Sequence, residues 1–486
     1  MRAKKEQFTS RWGLIISVVG IAVGTGNIWR FPRIVAANGG GSFLIPWVVF
    51  LFLWSIPLIM TEFAIGKMTR YGTVGSFAVL VGKKFAWMGT FVGFVATAIM
   101  FYYSVVAGWC IRYFFLAGTG QLLNSADHES TWNSFVDSGW QPILFHFIAI
   151  SSGAFIVKRG VVNGIEKANR FLIPALLSLL VLSCLRAITL PGAAKGLAYL
   201  FTPDFSTLLN YKVWLQALTQ NAWDTGAGWG LILTYAVYMR KKEDISLNAA
   251  LIGLGNNSVS LLAAITIFAT VFALIPERAA EVLNTSGPAN TGLTFIWIPQ
   301  LFSRMPGGVL FSAFFFLALA FAALSSLISM IELSTRVLMD MNLSRNSALL
   351  SVYLITLLLG IPSALSMDFF LNQDWTWGIA LMLSGAFMAL AVLKYGVHRF
   401  RTEQINFPES DLRVGRWYGF LIRYAIPAQV IVLITWWFFQ VIQADPAHWW
   451  NPFEAESVGT CLFQWTLVIL VFMVANRRIV ERTLRH

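Results

Sequence analysis

Apolar stretches long enough to cross a membrane recur from one end of the chain to the other, and they constrain its fold more than any other feature. A helix needs about 20 apolar residues to cross the hydrocarbon core of a bilayer. The stretches are continuously apolar, whereas the strands of a membrane β-barrel alternate apolar and polar residues. We therefore predict an all-α polytopic membrane protein with about twelve spans, at residues 13–36, 43–66, 87–117, 141–157, 169–190, 213–239, 246–275, 308–336, 347–364, 375–395, 418–443 and 459–476.

The charged residues are few and unevenly distributed. They make up 12% of the 486 residues, against 57% that are hydrophobic, which is more apolar surface than a soluble domain could bury. Basic residues lie in alternate connections, for example Lys158 and Arg159, whereas segments 120–138, 365–374 and 444–458 contain no Lys or Arg. This positive-inside pattern predicts cytoplasmic termini at both ends and an even number of spans. The net charge of +12 therefore reflects topology, and we exclude a nucleic-acid partner.

Two of the predicted spans are interrupted by glycine near their middles. The first reads GIAVGTGNIWRFP at 20–32 and the sixth reads NAWDTGAGWG at 221–230. Each opens a block of five spans, and interrupted helices at matching places in two halves indicate the binding site of a transporter. The alternative for a single such segment is tight helix packing through glycine. We expect a tail at 1–12, repeats at 13–210 and 211–396, two further spans within 397–476, and a tail at 477–486.

Several other classes of protein are disfavoured by the sequence. There is no Walker motif, no metal-ligand cluster and no nucleophile with a base at helical spacing, so we predict neither an enzyme nor a nucleotide-driven pump. An ion channel is disfavoured because the paired breaks suit alternating access. Cys110, Cys184 and Cys461 lie inside apolar runs and are expected to be buried thiols. The proline-rich segment 276–306 is expected to be a large outer loop, and a candidate lid.

The motif GxGNxWRFP at 24–32 resembles the neurotransmitter:sodium symporter family. NGGGSFLIPW at 38–47, YYSVVAGW at 102–109 and AALSS at 322–326 follow in the family's order. The resemblance spans roughly the first ten helices and implies the leucine-transporter fold, a 5+5 inverted repeat with discontinuous first and sixth helices. It also implies a sodium-coupled symporter that imports a small amino-acid-like solute by alternating access. A non-transporting sodium-dependent sensor that retains the binding site is the alternative.

The resemblance implies two sodium sites. Site 1 would use Ala22, Asn27, Asp224 and Asn256, and site 2 would use Gly20, Val23, Ala322, Ser325 and Ser326. Ala322, Ser325 and Ser326 share one helix face by their spacing, and oxygen ligands are those that a hard cation prefers. The alternative is that the two serines bond back to their own helix.

Asp224 departs from the family pattern, which has Thr or Ser at this position. Chloride-dependent relatives bind the anion with a Tyr, a Gln and serines; Gln220 and Ser260 match that set, but Trp47 replaces the tyrosine. Our hypothesis is that Asp224 supplies the negative charge, so that no chloride is required. The alternative is that Asp224 only caps the broken sixth helix. Protonation of Asp224 during transport remains open.

The resemblance places the substrate between the two breaks. The implied binding residues are Ile21, Ala22, Thr25, Gly26, Ile99, Tyr103, Trp223, Asp224, Gly226, Ala227, Trp229, Ser326 and Met330. Gly24 occupies the position of the aspartate that monoamine carriers use, so a monoamine substrate is not expected. Trp223 and Trp229 replace the usual phenylalanines. They favour a neutral, hydrophobic or aromatic amino acid, with a betaine-type zwitterion as the alternative, because aromatic rings also bind quaternary ammonium groups.

Charged pairs on either side of the site match the family's gates. Arg30 and Asp374 are the expected outer pair, and Lys5 and Asp340 the expected inner pair, next to Phe8 and Tyr238. We expect Glu62 to brace the unwound backbone of the first span. From the short termini and loops we expect a bacterial inner membrane. The oligomeric state, the sodium stoichiometry and any counter-transport remain open.

Overall fold

The computed structural model describes residues 6–125, 127–284 and 291–484, and this part of the chain is helical and contains no strand. Its twelve spans, used by number below, are Arg11–Ala22 with Gly26–Ala37 (span 1), Gly41–Thr69 (2), Lys83–Gly118 (3), Trp140–Lys158 (4), Val161–Ile188 (5), Tyr211–Asp224 with Leu231–Ala236 (6), Ser246–Leu274 (7), Gly308–Asp340 (8), Arg345–Leu365 (9), Met367–Tyr395 (10), Trp417–Ala444 (11) and Val458–Thr483 (12). Ten of these are single helices long and apolar enough to cross a membrane.

The helix starts follow from local capping chemistry. The Ser10 hydroxyl accepts a hydrogen bond from Gly13 N at 3.0 Å and begins span 1. Ser366 and Ser457 cap spans 10 and 12 in the same way. A side-chain oxygen at this position satisfies a backbone donor that has no partner within the helix. These boundaries are therefore encoded within a few residues of each span.

Span 1 is broken where the sequence predicts it. Its first helix ends at Ala22, and Val23 is extended, with φ −80° and ψ 92°. The second helix begins at Gly26, and the two helices are bent by 52°. The carbonyls at the end of the first helix and the amides at the start of the second have no helical partners, because helix ends leave such groups unpaired.

Span 6 is broken between Asp224 and Leu231. Within the break, Gly226, Gly228 and Gly230 have φ values of +68°, +89° and +81°. This left-handed region is unfavourable for residues with a Cβ, so the glycines in the motif serve the backbone path. Both predicted interruptions are therefore confirmed, and they occur at matching positions in the two halves.

Spans 3 and 8 form the centre of the molecule, whereas spans 11 and 12 lie at its periphery. In the apolar window of each central span 78% is buried, against 28% and 22% in spans 11 and 12. The outer loop contributes short helices, Ala279–Asn284 and Ile298–Ser303. Its Phe295 stacks on Trp132 at 4.9 Å and meets Trp29 of span 1 at 5.5 Å. The predicted lid role of this loop remains a prediction, and residues 285–290 lie outside the described part.

Candidate functional site

A cavity of about 370 Å³ lies between the two breaks and extends toward the loop that joins spans 11 and 12. Twelve of the thirteen residues predicted to bind substrate line it: Ile21, Ala22, Thr25, Gly26, Ile99, Tyr103, Trp223, Asp224, Gly226, Trp229, Ser326 and Met330. Ala227 is buried but is not among the lining residues. Residues 225–230 are not helical, so sequence spacing did not determine which of them face the cavity.

The polar end of the cavity is built from the break in span 1. The Tyr103 hydroxyl lies 3.4 Å from both the backbone N and the Oγ1 of Thr25. A Cβ at Gly24 would stand 3.0 Å from Ser326 Oγ and 3.3 Å from Tyr103 Oη. A side chain at position 24 would therefore occupy this polar end, whereas glycine leaves the space free for the ligand.

Two tryptophans form the aromatic wall. Trp223 and Trp229 meet edge to face, with ring centroids 6.1 Å apart and an interplanar angle of 76°. The Trp229 indole N–H donates to Ala222 O at 3.1 Å, which fixes that ring to the end of the helix before the break. A Cβ at Gly378 of span 10 would lie only 2.1 Å from a Trp223 ring atom. Gly378 therefore makes room for this ring, a role that the sequence analysis did not assign.

Three of the four residues predicted for sodium site 1 bring oxygen atoms together. One atom of the Asn256 side-chain amide, assigned as its oxygen, lies 3.0 Å from Ala22 O and 3.0 Å from Asp224 O. Oxygens so close repel one another unless a cation, or an amide turned to present its nitrogen, lies among them. The Asn27 side chain joins the same cluster, because its Oδ1 accepts from Gly24 N at 2.8 Å and its Nδ2 donates to Asn256. The oxygen set otherwise fits a sodium ion.

The Asp224 carboxylate lies beside this oxygen cluster. Its Oδ2 accepts from Gln220 Nε2 at 3.2 Å, whereas its Oδ1 is buried without a hydrogen-bond partner. Ser260 is close by, since its hydroxyl accepts from Asn27 Nδ2 at 2.8 Å. Gln220 Oε1 and the Trp47 indole nitrogen are also buried without partners. A buried carboxylate oxygen without a partner is costly and suits a neighbouring cation.

The residues predicted for sodium site 2 are all buried: Gly20, Val23, Ala322, Ser325 and Ser326. Ser325 Oγ donates to Ala322 O at 2.9 Å and also approaches Val23 O at 3.5 Å. Ser326 Oγ lies 3.4 Å from Ile21 O. Ser325 thus bonds back to its own helix, Ser326 bonds to span 1, and both hydroxyls face freed carbonyls of span 1. Oxygen atoms of this kind fit a hard cation.

The outer pair, Arg30 and Asp374, lines the cavity without closing it. Among the residues that the structure describes, neither side chain forms an ion pair, although the two are near enough to attract each other. The Arg30 guanidinium instead lies over the Trp223 ring, 5.1 Å from its centroid. The cavity is therefore continuous from the breaks to the outer loops.

The inner side is sealed by packing and hydrogen bonds. Phe8 is buried, its backbone N–H donates to Tyr238 O at 3.1 Å, and the Tyr238 hydroxyl donates to a buried carboxylate of span 8 at 2.6 Å. Asp340 pairs with Arg336, one turn earlier in span 8, at 2.9 Å. Lys5 lies outside the described residues, so its expected pair with Asp340 remains a prediction.

Glu62 braces the break in span 6. The prediction that it braces the unwound backbone of span 1 is wrong. Its Oε1 accepts from Gly228 N at 2.6 Å and its Oε2 accepts from Leu233 N at 3.0 Å, so it holds the unwound part of span 6. The carboxylate is fully buried. The reason is tertiary: span 2 packs directly against the second helix of span 6.

Several cavity residues were not identified from the sequence. Arg33 and Glu456 line the outer part, and Tyr102 also lines the cavity, with its hydroxyl close to the Asp374 carboxylate. Arg33 could have been predicted as a cavity residue from the sequence, because it follows Arg30 by three residues and so lies on the same helix face. Glu456 was harder to predict from the sequence, because it is one of several acidic residues in a loop that contains no basic residue.

Comparison with known proteins extends over nearly the whole chain. The model of the sodium:neurotransmitter symporter family matches residues 5–139 and 137–481. An uncharacterized sodium-dependent transporter of Methanocaldococcus jannaschii is 34% identical over 446 residues, covering 86% of this chain and 87% of the relative. Another, of Bacillus subtilis, is 30% identical over 450 residues, covering 88% of this chain and 97% of the relative. The crystal structure of MhsT in complex with L-phenylalanine matches with a TM-score of 0.78 at 32% identity, covering 89% of this chain and 99% of MhsT.

The fold and the site define a class: an ion-coupled carrier of the leucine-transporter fold, in which two inverted five-helix repeats place broken helices around a central cavity. Its family and structural neighbours are transporters and not enzymes. The chain belongs to the sodium:neurotransmitter symporter family and is a sodium-dependent, multi-pass membrane transporter.

Proposed function

We propose that this protein imports a neutral amino acid with a large apolar or aromatic side chain, together with sodium and without a chloride requirement. The observation that carries the proposal is the division of the cavity into a polar end at the span 1 break and an aromatic wall at the span 6 break. A zwitterion with an apolar side chain matches both parts at once. A sodium ion at each predicted site would be carried with it.

The polar end suits a carboxylate. The helix that begins at Gly26 presents its N-terminal amides toward the cavity, and such a terminus attracts negative charge. The Tyr103 hydroxyl, 3.4 Å from Thr25 N, can donate to the same group. A sodium ion among Ala22 O, Asp224 O and the Asn256 amide would add positive charge beside it. The cation would then couple the substrate to the sodium gradient.

The apolar part suits a bulky side chain. Ile99, Met330 and the two tryptophans line it, and the similarity to MhsT, whose structure contains L-phenylalanine, supports an aromatic or large aliphatic substrate. Gly226 does not simply enlarge the pocket, because a Cβ there would stand 3.0 Å from the Ile21 side chain. The Ile21 side chain occupies this part of the cavity, and the remaining space favours a substrate with a flat or slender side chain.

A betaine-type substrate is the weaker alternative. An aromatic cage binds a quaternary ammonium through the ring faces. One face of Trp223 already carries the Arg30 guanidinium, a permanent cation that would repel a second one. The edge-to-face arrangement of Trp223 and Trp229 also leaves the two rings without a shared concave surface. Both observations favour an amino acid.

The proposal that chloride is not required rests on Asp224. Its unpartnered Oδ1 lies beside the oxygen cluster of site 1, so it can balance the charge of a sodium ion there. Gln220, which matches an anion-binding set, donates to the Asp224 carboxylate, and Ser260 of the same set accepts from Asn27 of sodium site 1; both contacts support Asp224 as the substitute for the anion. The charge pattern also supports cytoplasmic termini, the short loops support a bacterial inner membrane, and the paired breaks support repeats at 13–210 and 211–396.

Uptake into proteoliposomes tests the substrate. A sodium gradient should drive accumulation of labelled L-phenylalanine or another large neutral amino acid. Tyr103→Phe should lower apparent substrate affinity by about tenfold, the effect of roughly 1.4 kcal/mol, while Tyr211→Phe, an exposed control, should not. Stronger competition by betaine than by any amino acid would reject the amino-acid proposal. Sodium-dependent binding without any flux would identify a sensor instead.

Replacement of chloride tests the role of Asp224. Wild-type uptake should be unchanged when gluconate replaces chloride on both sides. Asp224→Ser should lose most uptake in gluconate and regain part of it in chloride, because the anion can then enter the space between Gln220 and Ser260. Wild-type uptake that disappears in gluconate would reject this part of the proposal and leave the substrate assignment standing.

A further inference from the structure

Four charged side chains line the outer part of the cavity in two groups. Arg30 and Arg33 come from the second helix of span 1, whereas Asp374 lies near the outer end of span 10 and Glu456 lies in the loop between spans 11 and 12. No ion pair joins any of the four within the part of the chain that the structure describes. Arg33 Nε is buried without a hydrogen-bond partner. Two cations therefore face two carboxylates across one cavity.

Glu456 is held against the start of span 10 by bonds on both sides of it. Asn372 Nδ2 donates to Ala455 O at 3.0 Å, and Trp375 Nε1 donates to Ser457 O at 3.4 Å. These bonds tie the loop to the same turn that carries Asp374. The carboxylates of Glu456 and Asp374 should therefore move together when the outer end of span 10 moves.

Arg30 and Arg33 are likewise carried by one rigid element. They lie three residues apart on one helix, a spacing that places both side chains on the same face. A movement that brings Arg30 to Asp374 therefore carries Arg33 toward the loop with Glu456. The two groups are matched in number and opposite in charge, and each group is carried by connected elements.

The like charges within each group favour closure. Burial raises the pKa of the Glu456 carboxyl above its ordinary value, and the negative charge of Asp374 helps to raise it, because the two carboxylates repel each other. Arg33 similarly lies near Arg30 and lacks a partner at Nε. Opposite charges brought across the cavity would relieve the repulsion on both sides.

We propose that Arg33 and Glu456 form a second ion pair across the mouth of the cavity when the outer side closes, beside the pair of Arg30 and Asp374, and that it retains bound substrate. The proposal rests on outer closure through Arg30 and Asp374. It assigns gating roles to two residues that contribute nothing to the sodium sites.

Cross-linking tests the geometry without requiring a known substrate. Full-length protein carrying Arg33→Cys and Glu456→Cys is treated in membranes with a short bifunctional methanethiosulfonate, in sodium, in sodium with L-phenylalanine, and in potassium. The control carries Arg33→Cys and Glu454→Cys, since Glu454 is exposed in the same loop and does not line the cavity. The native cysteines are buried. Positions 33 and 456 should cross-link faster than 33 and 454 in at least one condition, and failure to do so in all three would overturn the proposal.

A charge swap tests the function of the pair. Arg33→Glu and Glu456→Arg should each speed dissociation of bound labelled amino acid by about fivefold, the size expected for a partly exposed ion pair near the upper end of its range. The double variant should return within about twofold of wild type, and Glu454→Arg should have no effect. Single variants without an effect, or a double variant no better than the singles, would overturn the proposal. Absence of L-phenylalanine binding in wild type would reject only the proposed substrate, because the cross-linking result does not depend on it.

Discussion

Glu62→Ala offers the sharpest test of how the break in span 6 is maintained. The Glu62 carboxylate is fully buried and accepts hydrogen bonds from Gly228 N at 2.6 Å and Leu233 N at 3.0 Å. These two donors belong to backbone that has left the helix or just re-entered it. In the membrane interior such donors find no water, so the side chain supplies what the missing helical turn would have supplied.

The magnitude follows from those two bonds. A hydrogen bond to a charged group is worth about 1.5–3 kcal/mol, so two together contribute roughly 3–6 kcal/mol. Polar contacts in membrane proteins deliver less than this, since the unfolded chain in the bilayer also finds partners. We therefore expect Glu62→Ala to destabilise the protein by roughly 2–4 kcal/mol. Glu62→Gln, which keeps one acceptor and turns an NH₂ group toward the other donor, should lose about half as much.

Thermal unfolding in detergent, followed by tryptophan fluorescence, measures the stability effect, and sodium titration of substrate binding measures the effect on the break. The order wild type, Glu62→Gln, Glu62→Ala is expected for both the unfolding midpoint and the sodium affinity. Glu403→Gln is the control, because Glu403 pairs with Arg399 at the surface. If Glu62→Ala unfolds at the same temperature as this control and binds sodium equally well, the bracing role is refuted.

Three further substitutions test the site. Ser325→Ala removes the hydroxyl that lies between Ala322 O and Val23 O; it should raise the sodium concentration for half-maximal uptake about tenfold, and an unchanged value would remove this side chain from the proposed site. Gly378→Ala places a methyl group 2.1 Å from a Trp223 ring atom, so competition binding should show at least about a tenfold loss of substrate affinity. Gly226→Ala forces a Cβ onto a residue with φ +68° and should lower the free energy of unfolding by about 1 kcal/mol; a more stable variant would contradict the backbone assignment.

Much of the architecture was predictable because its causes are local. Each span has the length that the hydrocarbon core demands, and the serine caps at Ser10, Ser366 and Ser457 lie immediately before the helices they begin. The break in span 6 was visible because glycine tolerates left-handed backbone that other residues avoid. The resemblance then identified most cavity residues, including Tyr103, by position.

The departures from prediction occur where distant segments meet. Glu62 was assigned to the break in span 1 but holds Gly228, 166 residues away, because span 2 packs against span 6. The position of Ala227 could not be read from helical spacing, since the segment around it is not a helix.

The sequence by itself determined the all-helical membrane architecture, the places where two of the spans come apart and the chemical types of residue at those places, because hydropathy and glycine backbone freedom act within a few residues. Only the tertiary structure decided which carboxylate supports which break, which ring fills the space that Gly378 leaves, and which charges face each other across the cavity. Such pairings depend on how helices pack, and packing joins residues that lie far apart in the chain, as Glu62 and Gly228 do.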